Sequence, residues 1–340
     1  MHKLNSKTQY THCTYSKYGC KNCIETGKPH VDSAMCTSVC PRHAAAPPPR
    51  GPQTKERLVE QFTMNNGLTI PAMGFGVFMM SSAEVKKSLP TAIELGYRHI
   101  DTANAYFNEV AVGEVVRDSS LPREDFFITT KLFPQNYSYE ECKSGIDASL
   151  RRLDMEYVDL MLLHQPYGAY TEAWRALEEA QAEGKIRSIG LSNFNKRKFQ
   201  EVLDAGFVTP QVLQIEVNPR WNQHDIKAWL EPMGVIVEGW YPLGHGDKAL
   251  IDDPFISEIA ARHGKTNSQI ILRWHIQEGN VVFPKTTNPI HMAENLDIFD
   301  FALTDEEVAR INSFPQKAYY DVAEEAPAFV TTPMDFDQQQ

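Results

Sequence analysis

The chain has 340 residues, of which 42% are hydrophobic and 23% charged, the balance of a globular protein with a large buried core. A formal net charge of -11 argues against general affinity for nucleic acid, whose phosphates require a cationic face. No apolar run reaches the roughly 18 residues of a membrane span, and residues 1–10 lack the apolar stretch of a secretory signal, so a cytoplasmic protein with no membrane association is expected.

Five of the six cysteines (Cys13, Cys20, Cys23, Cys36 and Cys40) fall in the first 40 residues, and only Cys142 lies beyond them. The pairs Cys20-x2-Cys23 and Cys36-x3-Cys40, with His12 and His30 nearby, have spacings that suit a tetrahedral zinc ion. This leader is poor in large aliphatic residues, however, and reads as a disordered appendage with oxidisable thiols, so no bound metal is expected. The run AAAPPPRGP at 44–52 is too rich in proline for helix or sheet and marks a stiff linker. The expected organisation is an extension over 1–55, a folded body over 56–325 and a flexible tail over 326–340.

Past the linker, FTMNNGLTIPAMGFGV alternates apolar and polar residues about Asn65, Asn66 and Gly67, which predicts a β-hairpin. Short apolar runs at 72–76, 97–101, 126–131, 158–164, 186–192, 212–216, 235–241 and 281–284 predict eight strands. Between them, 83–95, 139–153, 170–183 and 196–203 carry helical spacing. Strands alternating with helices imply a parallel sheet, and eight units suit a closed (β/α)8 TIM barrel with the hairpin plugging one end. The rival, an open doubly wound sheet, usually carries a G-x-G-x-x-G turn after its first strand, and none occurs here. TDEEVARINSF, from Thr304, reads as a last helix with a threonine cap and an acidic first turn, and the residues after it as loop.

In a barrel, reactive side chains sit at the carboxyl ends of the strands. Asp101 ends the second, with Tyr106 five residues on; Lys131 ends the third and His164 the fourth. Each alone has an unremarkable reading, as half of an ion pair, a half-buried aromatic or a satisfied imidazole. Together they place an acid, a phenol, an amine and an imidazole at one mouth. The expectation is that the Lys131 ammonium, held charged by Asp101, lowers the Tyr106 phenol from its usual value near 10, so that the phenol can protonate a carbonyl oxygen oriented by His164.

GYRHIDTANAYFNEVAVG (96–113) resembles the first signature of the aldo-keto reductase family. The likeness continues through KLF (131–133), VDLMLLHQP (158–166), GKIRSIGLSNF (184–194), QIEVNP (214–219), WYPLG (240–244) and FPKTTNPIHMAEN (283–295), covering roughly 62–314. The resemblance implies catalytic roles for Asp101, Tyr106, Lys131 and His164, a nicotinamide cofactor lying across the barrel mouth and a C-terminal loop over the substrate. Ser192, Asn193 and Gln214 match the positions that bind the carboxamide, and Trp240 the aromatic that stacks on the ring. Leu243, Gly244 and His245 would follow the pyrophosphate, with Gly76 counted among the cofactor contacts. Lys285, Thr286, Asn288 and His291 fall where the family binds the 2′-phosphate, and Glu294 and Asn295 where it holds adenine.

Some positions depart from the family's usual residues. His291 stands where arginine is commonest, which weakens the preference for NADPH and admits NADH. Gln165, Phe78 and Phe133 stand where tryptophan is common, which implies an apolar substrate pocket, bounded also by His164, with one amide in its wall. The reading is NAD(P)H-dependent reduction of small-molecule aldehydes and ketones by a monomer or weak dimer. The alternative is a redox-sensing regulatory module that binds NADPH and turns over slowly.

Overall fold

The computed structural model describes residues 59–320 and 324–339, together with two short strands in the leader. Contacts divide the chain into two units, Met1–Thr54 and Lys55–Gln340. In the first unit, Tyr15–Ser16 pairs antiparallel with Gly19–Cys20. The side chains of the proposed zinc ligands Cys20, Cys23, Cys36 and Cys40, and of His12 and His30, lie outside the described residues. Among the described residues no cluster of His, Cys, Asp and Glu suits a metal.

The second unit is built on eight parallel strands in sequential order: β1 Gly74–Gly76, β2 His99–Asp101, β3 Phe127–Leu132, β4 Val158–Leu163, β5 Ile186–Ser192, β6 Val212–Glu216, β7 Ile236–Trp240 and β8 Asn280–Val282. The ring closes where Met73 bridges Val282 in parallel and the Val282 N–H donates to the Ala72 carbonyl at 3.0 Å. The (β/α)8 architecture expected from the strand and helix pattern is therefore the one observed.

Helices α1 Ser82–Leu95, α2 Glu109–Asp118, α3 Tyr139–Leu153, α4 Tyr170–Ala182, α5 Lys196–Ala205 and α6 His224–Leu230 follow the first six strands. Beyond β7 come α7 Lys248–Ile251, α8 Pro254–His263 and α9 Asn267–Gln277, and beyond β8 come α10 Pro289–Leu296, α11 Asp305–Asn312 and α12 Ala328–Thr331. Local chemistry sets several ends. A capping box of Ser81 and Glu84 opens α1, and Gly96, at φ 111°, closes it in a left-handed conformation that glycine adopts without strain. Thr304 and Glu307 form the same box at α11. Strands β3 and β4 are buried at every residue because helices cover their outer faces while side chains fill the barrel inside.

The barrel interior is layered by the period of two in each strand. One buried apolar cluster, Phe127, Leu160, Leu162, Val212, Val281 and Phe283, packs with Met64 and Ile70 of the hairpin Gln61–Thr63/Thr69–Pro71. The Asn65 amide donates to the Pro210 and Met233 carbonyls at 3.0 and 3.2 Å, and the Asn66 amide to Ser188 Oγ at 3.0 Å. These partners lie near the amino ends of β5 to β7, so the hairpin plugs the end opposite the mouth. The inward residues His99 and Asp101 of β2 and Thr129 and Lys131 of β3 are polar, and the pair nearest the carboxyl ends, Asp101 and Lys131, forms the heart of the site.

Residues 326–339, in the stretch read from the sequence as a flexible tail, fold back over the barrel. Val330 and Phe336 are buried with Phe133 and Tyr167. Asp337 pairs with Arg152 at 2.9 Å, and Gln135 exchanges hydrogen bonds with the Met334 backbone at 2.7 and 2.9 Å. Proline and aspartate hid two apolar residues that find cover only in the tertiary structure.

Candidate active site

Pleat alternation turns His99 and Asp101 of β2, Thr129 and Lys131 of β3, Gln214 of β6 and Glu238 of β7 into the barrel. Lys131 Nζ lies 2.7 and 2.8 Å from the two Asp101 carboxylate oxygens, 2.9 Å from the Thr102 carbonyl and 3.3 Å from the Tyr106 hydroxyl. Lys131 has no solvent exposure and Asp101 only 3%, so water screens this pair very little.

Tyr106 sits in a single 3-10 turn, Asn104–Tyr106, closed by Phe107 in the left-handed region. Asn108 holds this loop: its side-chain oxygen accepts from Thr102 at 2.7 Å, and its amide donates to the Val77 and Met80 carbonyls at 3.0 and 2.9 Å. The His164 ring meets Tyr106 edge-on with centroids 5.6 Å apart, and Phe133 lies 5.7 Å from His164 on another side. Phe78, half exposed, tilts over Tyr106 at 5.0 Å. The four residues predicted to be catalytic therefore meet at one mouth, with two of the predicted substrate contacts as apolar walls.

The electrostatics correct one expectation. Burial pushes the Tyr106 phenol up to about 12, and the Lys131 ammonium only partly offsets this. The phenol is therefore held protonated rather than made more acidic. The ammonium can still stabilise the phenolate left once a proton has departed. Burial also raises Asp101 against the pull of Lys131. For Lys131 burial works downward, but Asp101 and Tyr106 outweigh it, so the amine stays charged. Burial, and then the Lys131 charge, hold His164 well below the ordinary imidazole range, which leaves it neutral.

The predicted cofactor residues line the rim beyond β5 to β8. Ser192 ends β5, and Asn193 follows in the left-handed region at φ 67°, donating to Ser192 Oγ at 3.3 Å and to the His164 carbonyl at 3.2 Å. Trp240 Nε1 donates to Asn193 Oδ1 at 3.0 Å, which fixes the indole plane at the end of β7. Tyr241 and Tyr320 meet that indole edge-on at 4.7 and 5.7 Å. Leu243 and Gly244 follow in the next turn, with Gly244 at φ 60° and His245 exposed. Lys285, Asn288 and His291 are exposed and Thr286 half-buried, at the start of α10, where Asn288 caps the helix by accepting from the Ile290 N–H at 3.0 Å. Glu294 is half-buried and Asn295 buried on the same helix. Gly76 has a packing reason for its identity, since a Cβ there would lie 2.8 Å from the Phe283 carbonyl.

These residues fit an extended cofactor with a planar head at the mouth. His164, whose ring lies against Tyr106 and Phe133, and its neighbour Gln165 have a buried Nδ1 and a buried Oε1 without partners among the described residues, which is what a polar ligand seated there would satisfy. The depressions of about 500 and 420 Å³ on the outer wall, lined by residues such as Asp147, Arg151 and Asp154, share no residue with this mouth.

The aldo/keto reductase family model matches residues 72–315. The chain belongs to the aldo-keto reductase family. It is 42% identical over 263 residues to a morphine 6-dehydrogenase of Pseudomonas putida, covering 73% of this chain and 89% of that protein. It is 40% identical over 256 residues to the methylglyoxal reductase DkgA of Escherichia coli K12, covering 74% and 92%. A crystal structure of a Bombyx mori aldo-keto reductase in complex with NADP superposes with a TM-score of 0.73 at 33% identity, covering 78% of this chain and 95% of that one. As a member of this family the chain is an oxidoreductase that reduces carbonyl groups with NADP(H). The findings favour the enzyme over the regulatory module raised from the sequence.

Two features of the mouth and its surroundings escaped the sequence reading. Glu238, a carboxyl on the inner face of β7, carried a signal in VIVEGW, where one charge interrupts an apolar run. The tail residues Val330 and Phe336, which join Phe133 in the apolar wall, carried none, because nothing in their spacing indicates where they dock.

Proposed function

We propose that this aldo-keto reductase converts small aldehydes and ketones to alcohols, with Tyr106 giving the proton to the substrate oxygen. NADPH is the preferred cofactor and NADH a tolerated one. The observation that carries the reading is the buried row from Asp101 through Lys131 Nζ to the Tyr106 hydroxyl, 2.7 and 3.3 Å long in its two steps.

The bound nicotinamide supplies the hydride. Tyr106, protonated at rest, is positioned as the acid, and Lys131 stabilises the phenolate that remains. Asp101 keeps Lys131 charged and centred. Neutral His164 can share a hydrogen bond with the carbonyl oxygen and orient it without competing for the proton. Ser192, Asn193 and Gln214 would hold the carboxamide and Trp240 the ring face, while Lys285, Thr286, Asn288 and His291 would meet the 2′-phosphate. Phe78, Phe133 and Gln165 border the substrate. We place the protein in the cytoplasm as a monomer or weak dimer, with residues 56–325 as the catalytic unit and no nucleic-acid or membrane partner.

The test is Tyr106→Phe. Carbonyl-dependent oxidation of NADPH should fall by about 10²–10⁴-fold while quenching of tryptophan fluorescence by the cofactor persists. Turnover within about threefold of the parent would remove the phenol from the reaction.

A further inference from the structure

The inner face of β7 presents a carboxyl that the reaction described above does not use. Glu238 has no solvent exposure, and its Oε2 accepts from the Gln214 amide at 2.8 Å. The other proton of that amide goes to Asp101 Oδ2 at 3.0 Å. One planar amide is thus shared between two carboxyls.

The groups facing Glu238 can be counted strand by strand. From β2 come His99 and Asp101, from β3 Lys131, from β6 Gln214, and its register partner on β8 is the apolar Val281. Lys131 is the one cation in this set, and it already clamps both oxygens of Asp101. Burial holds His99 down to about 3, so it is neutral, and its Nε2 is 3.8 Å from Glu238 Oε1, beyond hydrogen-bond reach. Oε1 has no partner among the described residues. With no counter-charge of its own, Glu238 is pushed up to about 8 by burial and then by the negative charge of Asp101.

We propose that Glu238 is a positioning residue, an uncharged acid that shares the Gln214 amide with Asp101, and that its ionisation shifts the mouth toward the oxidised form of the cofactor. This rests on the reading that the nicotinamide lies over Gln214 and Trp240. The oxidised ring carries a positive charge and the reduced ring does not. A second carboxylate under the mouth, sharing one ammonium with the first, therefore attracts the oxidised form and leaves the reduced form nearly unaffected.

The test is the ratio of NADP+ to NADPH dissociation constants, followed by tryptophan quenching between about pH 7 and 9.5, above the phosphate ionisation near 6. In the parent protein the ratio should tilt toward NADP+ by about tenfold through the transition. Glu238→Gln keeps an accepting oxygen for Gln214 but cannot ionise, so its ratio should stay flat. Glu238→Leu should also be flat and should bind both forms more weakly, because Gln214 loses one of its two acceptors; it decides the matter should the glutamine variant fail to fold. A flat ratio in the parent, or an unchanged tilt in either variant, overturns the proposal. Binding of neither form to the parent would sink the cofactor reading and this inference with it, whereas normal binding with a flat ratio sinks the inference alone.

Discussion

Lys131→Met tests the pair on which both stability and chemistry depend. The substitution roughly preserves volume but removes contacts to Asp101, Thr102 and Tyr106 and leaves the Asp101 carboxylate 3% exposed without its cation. Breaking a buried pair from one side costs about 3–5 kcal/mol, a large part of the roughly 5–15 kcal/mol that stabilises a typical domain. Asp101→Asn should cost a comparable amount, because it leaves a buried ammonium. The double variant carries no lone charge, so its loss should fall short of the sum by about 2–3 kcal/mol. Urea denaturation of all four proteins measures this coupling. In parallel, Lys131→Met should lose about 10²–10³-fold in kcat, the usual effect of removing a group that stabilises developing charge, with cofactor affinity little changed. Additive stability losses together with turnover within about threefold of the parent would refute the account.

Three further outcomes follow from particular contacts. Gly113→Ala should destabilise by about 3 kcal/mol or more, because its Cβ would fall 2.1 Å from the Leu153 carbonyl where α2 crosses the end of α3; an unchanged melting temperature would contradict this. Acid should weaken the fold through His99 and His275, each held down to about 3 chiefly by burial. Between about pH 6.5 and 3 the unfolded chain takes up protons that the folded one refuses, so stability present above 6.5 is lost on acidification, at up to about 1.4 kcal/mol per pH unit for each histidine. Urea midpoints at pH 7 and 5 check this, and a His275→Asn variant should show a shallower slope. Phe336→Ala opens the apolar wall, since its ring lies 6.4 Å from Phe133 and 6.0 Å from Phe107. KM for a bulky aromatic aldehyde should rise several-fold while KM for a two- or three-carbon aldehyde stays put; equal changes for both would detach the tail from substrate selection.

The strands read from apolar runs match the observed ones closely. Ile186–Ser192 and Val212–Glu216 coincide with their expected bounds, and β2 begins at His99, two residues later than expected, although the Arg98 carbonyl already accepts from the Phe127 N–H of β3 at 2.8 Å. Helix α3, 139–153 in the pattern, is Tyr139–Leu153 in the structure. The acid, phenol, amine and imidazole were legible too, because a barrel delivers strand ends to one rim. The sign of the phenol's shift was not. A nearby ammonium can be inferred from residue types, but the depth of burial that outweighs it depends on what packs overhead. Docking of the tail was equally hidden, since Val330 and Phe336 look unremarkable until Phe133 and Tyr167 are beneath them.

What the chain order decided alone is periodic and local: where apolar runs of strand length alternate with helical spacing, which residues cap helices, and which reactive side chains stand at strand ends. Those properties depend on neighbours a few positions away. Closure of the ring through Ala72 and Val282, the sharing of the Gln214 amide by Asp101 and Glu238, and the protonated state of Tyr106 were decided only by the folded structure. Each rests on contacts between residues far apart in sequence and on the removal of water from around them. Burial and charge balance are properties of the packed interior, and they took their values only when the eight strands met.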